Sequence, residues 1–307
     1  MTLKMQRAVD YNKKSAQRLG WSPEWFGHNA NDETLVELVR AFQDKTGLTR
    51  DGKVGKNTFR SIVARRQAEL EDEPADIPTG CDYIVCDGKK VPIAANVVSF
   101  DENHKISFAH QKKRTYRKRK PGRKIGAIIT HWDVTKGPFS TFRVLRAVGL
   151  SSHFCIAGDG TIYQYADTKD ITYHCGRLNS WSIGIDMNTR VYAKYENWYK
   201  QGGRTPRPLM TAKYHRRKKK ILGYTPEQVK SYNALIRTLC EFYDIPRRAP
   251  VDDEGKLITT VYNELKAKKW KGVGNHYNLT RKKWDTAGLF ETCLDDDPEL
   301  FPNVKEW

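Results

Sequence analysis

The chain has 307 residues, with 54 Lys+Arg against 36 Asp+Glu and a formal charge of +18 at pH 7. No apolar run approaches the roughly 18 residues of a bilayer span, which excludes a helical membrane protein. The 38% hydrophobic content describes a polar globular chain long enough for two domains. An excess of positive charge points to a polyanionic partner (nucleic acid, anionic lipid or an anionic wall polymer) without choosing among them. Met1 to Arg7 carries no apolar core, so the expectation is synthesis in the cytoplasm without a signal peptide. Six cysteines, at 81, 86, 155, 175, 240 and 293, are too few and too scattered for a disulfide scaffold. Cys81 and Cys86 lack a second close pair and read as hairpin residues rather than half of a metal site.

Residues 1–67 read as helical. Val9, Ala16 and Leu19 mark a first amphipathic helix. Leu35, Leu38, Val39 and Phe42 mark a second, with Asn31 or Asp32 as N-cap and Gly47 as its stop. A tight loop follows, Leu48-Thr49-Arg50-Asp51-Gly52-Lys53-Val54-Gly55. Asn57 or Thr58 opens a third helix carrying Phe59, Ile62 and Val63. The order Phe42-Gln43, Gly47-Leu48, Asp51-Gly52-Lys53-Val54-Gly55, Thr58-Phe59 resembles the three-helix peptidoglycan-binding module of wall hydrolases. That resemblance implies a wall-binding groove beside the loop at 51–55, with Phe42, Asp51, Gly52, Gly55 and Thr58 as its signature.

Residues 68–80 are acidic, hold Pro74 and Pro78, and read as an interdomain linker. Asp87-Gly88 between β-rich runs predicts a hairpin, a small β element ahead of the main sheet. Residues 110–124 hold nine Lys/Arg and no acid, and Arg216 to Lys220 form a second basic cluster. These are solvated basic loops or contacts to anionic envelope phosphates. A nucleic-acid surface is the lesser reading, and no nucleic acid is expected as partner.

Ile125 to Trp132 is a short apolar run rich in β-branched residues that ends in His131. It predicts a central strand buried on both faces, with a histidine at the sheet's rim. Phe139 to Val148 reads as a helix. Ser151 to Ile156 and Thr161 to Tyr165 read as strands joined by the turn Gly158-Asp159-Gly160. Trp181 to Met187 is a further strand with Asp186 near its end. Thr225 as N-cap and Pro226 at the first helical position open a helix through Tyr243. Residues 190–222 form a basic insertion between sheet and helix.

The order T-H-W, S-S-H-F with G-D-G-T-I-Y-Q, Y-H-C-G, S-I-G-I-D and H-Y-N-L-T-R-K-K-W-D-T-A-G resembles the zinc-dependent N-acetylmuramoyl-L-alanine amidases, whose fold is shared with peptidoglycan recognition proteins. The match covers roughly 120–292, and the whole chain resembles a modular phage endolysin. The resemblance implies an α/β fold with a central mixed sheet flanked by helices over 81–307, and one Zn²⁺ per chain on His131, His276 and Asp285. Two imidazoles and a carboxylate suit zinc and leave one position open.

It further implies Lys283 as the cation that stabilises an oxyanion. Asp186 becomes the general base, because the tyrosine that some members use is Ser152 here. His174, His153, Trp132 and Asn179 are expected at the substrate, His153 packing near the metal rather than binding it. The implied activity is hydrolysis of the amide between N-acetylmuramic acid and L-alanine by a monomer that reaches the wall with holin assistance. The alternative is a non-catalytic peptidoglycan recognition protein of the same fold.

Overall fold

A computed structural model describes residues 2–70, 80–110, 115–201 and 204–307. Most of the expected linker, and the first part of the 110–124 basic stretch, lie outside the described residues. The chain divides into two compact units, Met1–Leu70 and Glu71–Trp307.

The first unit holds α1 (Leu3–Leu19), α2 (Glu33–Thr46) and α3 (Lys56–Glu69). The two N-cap options for α2 resolve to Asp32, whose carboxylate accepts from Leu35 N, and Gly47 ends the helix at φ 68°. α3 opens earlier than expected, at Gly55. Thr58 is not free to cap it, because its buried hydroxyl is bonded to Gln43 Nε2 at 3.1 Å. A 3-10 turn at Pro23–Phe26, absent from the sequence reading, stacks Trp25 on Phe59 and sets Phe26 edge-on to Phe42. Trp21, Leu35, Val39 and Val54 form the buried centre.

The second unit contains β1 (Cys81–Cys86), β2 (Lys89–Ser99), β3 (Tyr116–Lys118), β4 (Ala127–Trp132), β5 (Phe154–Ile156), β6 (Ile162–Gln164), β7 (Asp170–Thr172), β8 (Ser182–Met187), β9 (Leu209–Tyr214), β10 (Arg217–Leu222) and β11 (Gly272–Asn275). Its helices are α4 (Pro138–Val148), α5 (Glu196–Lys200), α6 (Pro226–Tyr243), α7 (Asn263–Lys266) and α8 (Leu289–Asp296). Seven strands form a mixed sheet in the order β1-β2-β6-β5-β8-β4-β11. The Asp87-Gly88 hairpin is therefore no separate element. Val97 to Ser99 of β2 pair in parallel with Ile162 to Gln164, so the hairpin is the sheet's edge. β4 lies one strand in from the other edge, because β11 pairs outside it.

Both faces of the sheet are covered, and the two-residue period of β4 divides its side chains between them. Ile128 joins the cluster with Ile183, Ile185, Tyr232, Leu235, Ile236 and Phe290, under α6 and α8. Ala127 and Ile129 point the other way, onto Leu178, Leu265 and Trp270. On that second face α4 supplies Phe139 and Phe142, packed with Cys155, Tyr163 and Tyr165. Each fully buried isoleucine contributes about 1.5–3 kcal/mol. Thr225 caps α6 through Gln228 N, with Pro226 in the first turn, as the sequence predicts.

Candidate metal centre and cleft

Strand parity delivers the first functional groups. Continuing the alternation of Ala127 and Ile129 sends His131 to the α4 side of the sheet. In the neighbouring strand Ile183, Ile185 and Met187 face the other way, which leaves Ser182, Gly184 and Asp186 on the His131 side. His131 and Asp186 are direct register partners across β4 and β8, and Asp186 in turn partners Cys155 of β5.

β11 carries the chain to the same end of the sheet, where His276 opens a 3-10 turn closed by a reciprocal Asn275–Asn278 capping box. Asp285 returns in the following loop. Thr286 beside it is held at φ 61°, a costly conformation for a β-branched residue. Its hydroxyl donates to Asn275 Oδ1 at 2.6 Å, tying the loop to the end of β11.

His131, His276 and Asp285 converge, each offering one ligand atom, and these atoms lie within 4.8 Å of one another. His131 Nδ1 and His276 Nδ1 stand 2.9 Å apart, His276 Nδ1 and Asp285 Oδ2 2.8 Å, and His131 Nδ1 and Asp285 Oδ2 3.8 Å. Ligands at the usual zinc bond lengths and tetrahedral angles stand about 3.3 Å apart. The observed separations bracket that value, so the donor set fits a zinc-sized ion.

The proton positions favour it too. A run of donors fixes the far side of His131: Nε2 lies 3.0 Å from His174 Nδ1, His174 Nε2 3.2 Å from Ser182 Oγ, and Ser182 Oγ donates to Leu178 O at 2.8 Å. Read from the carbonyl backwards, each hydrogen has one place to go, and His131 is left with a bare Nδ1 lone pair facing the cluster. Burial, together with the neighbouring His276, pushes His131 down to about 4 and His174 also well below its ordinary value, so both rings are neutral. Burial alone would raise the Asp285 carboxyl. The imidazoles of His131 and His276 beside it and the charge of Lys283 carry it well below the usual carboxylate range.

Gly184 makes this arrangement possible. A Cβ there would stand 2.8 Å from His174 Cγ, so the glycine of S-I-G-I-D is the floor on which His174 rests.

A cleft of about 150 Å³ opens over the cluster, and Trp132, Asp186, His174 and Lys283 line it together with the three candidate ligands. Asp186 is 6% exposed. Burial, helped by Asp133 and opposed by a Ser152 hydrogen bond, pushes its carboxyl up to about 8. At neutral pH it therefore holds a proton, where the sequence reading casts it as a ready base. Lys283 reaches the same space from the Asp285 loop, and its charge lowers both carboxyls.

Trp132 is a cleft wall as expected, edge-on to Trp284 at 4.7 Å. Two other residues expected at the substrate are placed elsewhere. His153 is fully buried: its Nδ1 accepts from Gly184 N and its Nε2 lies 3.1 Å from Asp170 O, so it braces β8 from behind and meets no substrate. Asn179 spends its carbonyl on the backbone N–H groups of His174 and Cys175, at 3.2 and 2.8 Å. It shapes the turn that holds His174 and does not line the cleft. Trp181 packs over Gly126.

The sequence reading missed Asp133, Tyr173 and the Thr141 face of α4, all of which line the cleft. Asp133 accepts from the Thr141 hydroxyl and from Asn188 Nδ2, and burial pushes its carboxyl up to about 6. Its place directly after T-H-W was the available signal.

In the first unit the signature residues bind one another. Gln43 Nε2 donates to Asp51 Oδ1 at 2.8 Å and to Lys53 O and Thr58 Oγ1 at 3.1 Å, while Gln43 Oε1 accepts from Gly52 N at 2.9 Å. Gly52, at φ 73°, sits where a Cβ would be 2.5 Å from Val36. A cavity of about 680 Å³ in this unit is not beside this loop. Trp25, Phe26, Leu38, Phe42, Ile62 and Arg66 line it, on α2, α3 and the 3-10 turn, so Phe42 alone of the five signature residues reaches it.

The family described as N-acetylmuramoyl-L-alanine amidase matches residues 111–286, more than half of the chain. A search of curated proteins gave no match. Among solved structures, the chain is similar to the N-acetylmuramoyl-L-alanine amidase LysC from Clostridium intestinale URNW, at 18% identity over 59% of this chain and 87% of that one, TM-score 0.35. It is similar to the Ph2119 endolysin from Thermus scotoductus MAT2119 bacteriophage Ph2119, at 14% identity over 65% and 97%, TM-score 0.38. It is also similar to Drosophila PGRP-LB, at 12% identity over 70% and 100%, TM-score 0.37.

Proposed function

The chain belongs to the N-acetylmuramoyl-L-alanine amidase family, and from that membership we propose that it is a zinc-dependent peptidoglycan hydrolase that cuts the bond between N-acetylmuramic acid and L-alanine. The observation that carries this is the convergence of His131 Nδ1, His276 Nδ1 and Asp285 Oδ2 at the mouth of a cleft that Lys283 and Asp186 also line. An amide resists hydrolysis because resonance protects its carbonyl. Zinc held by these three groups would supply a water of lowered pKa and polarisation of that carbonyl.

The chain's own residues do the rest. Lys283 offers a fixed positive charge to the oxyanion that forms as the carbonyl is attacked. Asp186 is the proton-handling group: in its ionised form it takes a proton from the attacking water, and the carboxyl so formed gives that proton to the leaving amine. Asp133, which lines the same cleft, keeps the Asp186 proton affinity high by adding a second negative charge to a buried space. Trp132 and the α4 wall exclude bulk water.

We assign residues 1–67 to a wall-holding module joined by a linker at 68–80 to the catalytic domain at 81–307. Its aromatic groove at Trp25, Phe26 and Phe42 is the natural contact for wall material. The protein acts as a monomer and its partner is peptidoglycan, with anionic envelope polymers as secondary contacts through the basic runs. The endolysin-like order of the modules supports a role in phage lysis.

Purified peptidoglycan incubated with the protein should release peptides with a new L-alanine amino terminus, detected by mass spectrometry. A chelator should stop the release and zinc restore it. Tight binding without any new amine would instead establish the recognition protein.

A further inference from the structure

The insertion at 190–222 takes no part in the chemistry above, yet much of it is packed against the loop that supplies Lys283 and Asp285. β9 and β10 form a hairpin whose strands pair from Tyr214↔Arg217 to Leu222↔Leu209, leaving His215 and Arg216 as a two-residue turn. Such turns require left-handed backbone and favour Asn and Gly. Here the two positions hold His215 at φ 45° and Arg216 at φ 63°. A side chain kept in a conformation that glycine adopts more cheaply points to a use for that side chain.

His215 has one. Its ring Nε2 lies 2.9 Å from the carbonyl oxygen of Lys283, and its backbone N–H donates to Thr259 O at 2.8 Å. The carbonyl accepts, so Nε2 carries the hydrogen.

The same hairpin grips the next residues along the loop. Lys219 Nζ stands 3.9 Å over the Trp284 ring, and Tyr214 lies against that ring at 5.4 Å. Tyr192, at the start of the insertion, approaches Trp284 from 6.1 Å. Beyond Asp285, Met210 and Ala212 close on Gly288, where a Cβ would stand 2.6 Å from Met210 Cε and 3.4 Å from Ala212 Cβ. Three successive points of the loop, at 283, 284 and 288, are thus held by one hairpin.

We infer that the β9–β10 hairpin is the brace that sets the catalytic loop, and that His215 is a positioning residue acting through the main chain of Lys283. His215 touches no substrate. It fixes where the Lys283 backbone starts, and hence where its ammonium can reach. The inference rests on the hydrolase reading for its kinetic consequence, but not for its structural one.

The test uses the full chain, a soluble muramyl-peptide substrate and two variants. His215→Ala should lower kcat about tenfold, the scale on which small misplacement of a catalytic group acts, with KM within about twofold and zinc content unchanged. His215→Gln, which keeps an N–H at similar reach, should restore kcat to within about threefold. Amide exchange at Lys283, Trp284 and Asp285 should quicken in the alanine variant and not in the glutamine variant. Wild-type kcat and wild-type exchange in His215→Ala would overturn the inference, as would losses that glutamine fails to rescue. If His215→Ala does not fold, Lys219→Ala loosens the same loop from the Trp284 side, and unchanged exchange there would equally overturn it. Should the wild-type protein release no amine at all, the hydrolase reading fails while the exchange measurement still decides the brace.

Discussion

The polar motif of the first unit and the polar motif of the cleft look alike on paper, and they differ in what their atoms are bonded to. Around the 51–55 loop the buried polar groups are spent internally: Gln43 joins Asp51, Lys53, Thr58 and Gly52, and Asn12 bonds Gly52 O and Val54 N. At the mouth of the cleft the inner groups have no partners but one another. His131 Nδ1, His276 Nδ1 and Asp285 Oδ2 face a common point, while the outer nitrogen of His131 is fully committed to His174. A saturated polar network specifies a shape. A convergent one left open on its inner side is a place for something to bind.

The sharpest way to break that comparison is to remove an inner group. His131→Ala, His276→Ala or Asp285→Ala should each take wall hydrolysis below detection and take bound zinc from one ion per chain to none, read by elemental analysis. Zinc retained after His276→Ala would show that the open side is not a metal site. Lys283→Ala is the next largest effect. It should lower turnover by about 10²–10³, the usual loss of one oxyanion-stabilising group, with zinc still bound. Loss of metal in that variant would place Lys283 in the fold of the loop rather than in the chemistry.

The saturated network predicts the opposite pattern. Gln43→Ala leaves buried partners unpaired, at about 1–3 kcal/mol. Amide exchange at Gly52 and Val54 in the full chain should quicken by about 5- to 150-fold, while turnover of a small soluble substrate stays unchanged. A fall in that turnover would show that the first unit contributes more than tethering.

What was legible in the sequence follows the same division. The apolar run before His131 and the Thr225-Pro226 helix start are local patterns with one physical reading each, and the structure shows both. Candidate ligands followed from their places in long motifs. The cleft place given to His174 and the packing place given to His153 rested on motif position alone. Each sits in a short polar stretch before or after a strand, and only the packing of Gly184, Thr172 and Asp170 around His153 makes it a brace. Asn179 looked like a cleft residue because polar groups near a site invite that reading, yet its carbonyl was needed by two backbone amides. β11 is Gly-Val-Gly-Asn, too short and glycine-rich to read as a strand, so the edge beyond β4 stayed hidden. The hairpin at 209–222 was hidden because its turn holds His215-Arg216 in place of Asn or Gly.

The finest test concerns Asp186, the one cleft carboxyl whose state decides whether the open network is also proton-active. Burial pushes it up to about 8 from the 3.8 of an ordinary aspartate. Between those values the native protein holds a proton that the unfolded chain has released, so stability falls as pH rises from about 4 to about 8. Asp133, at about 6, adds to the lower half of that window. The neutral rings of His131, His153 and His174 act in the opposite sense below about pH 6.5, so the Asp186 contribution is read as the difference between metal-free wild type and Asp186→Asn at pH 5 and pH 8. Asp186→Asn keeps the shape without the titration, so it should lose less between the two pH values. The variant should melt above wild type at pH 8 by on the order of 2–4 °C for each kcal/mol recovered. Parallel melting curves for the two proteins across this range would mean that the Asp186 carboxylate is already ionised and satisfied when buried. The proton-handling role would then have to pass to Asp133, whose smaller shift is confined to the window between about 4 and 6.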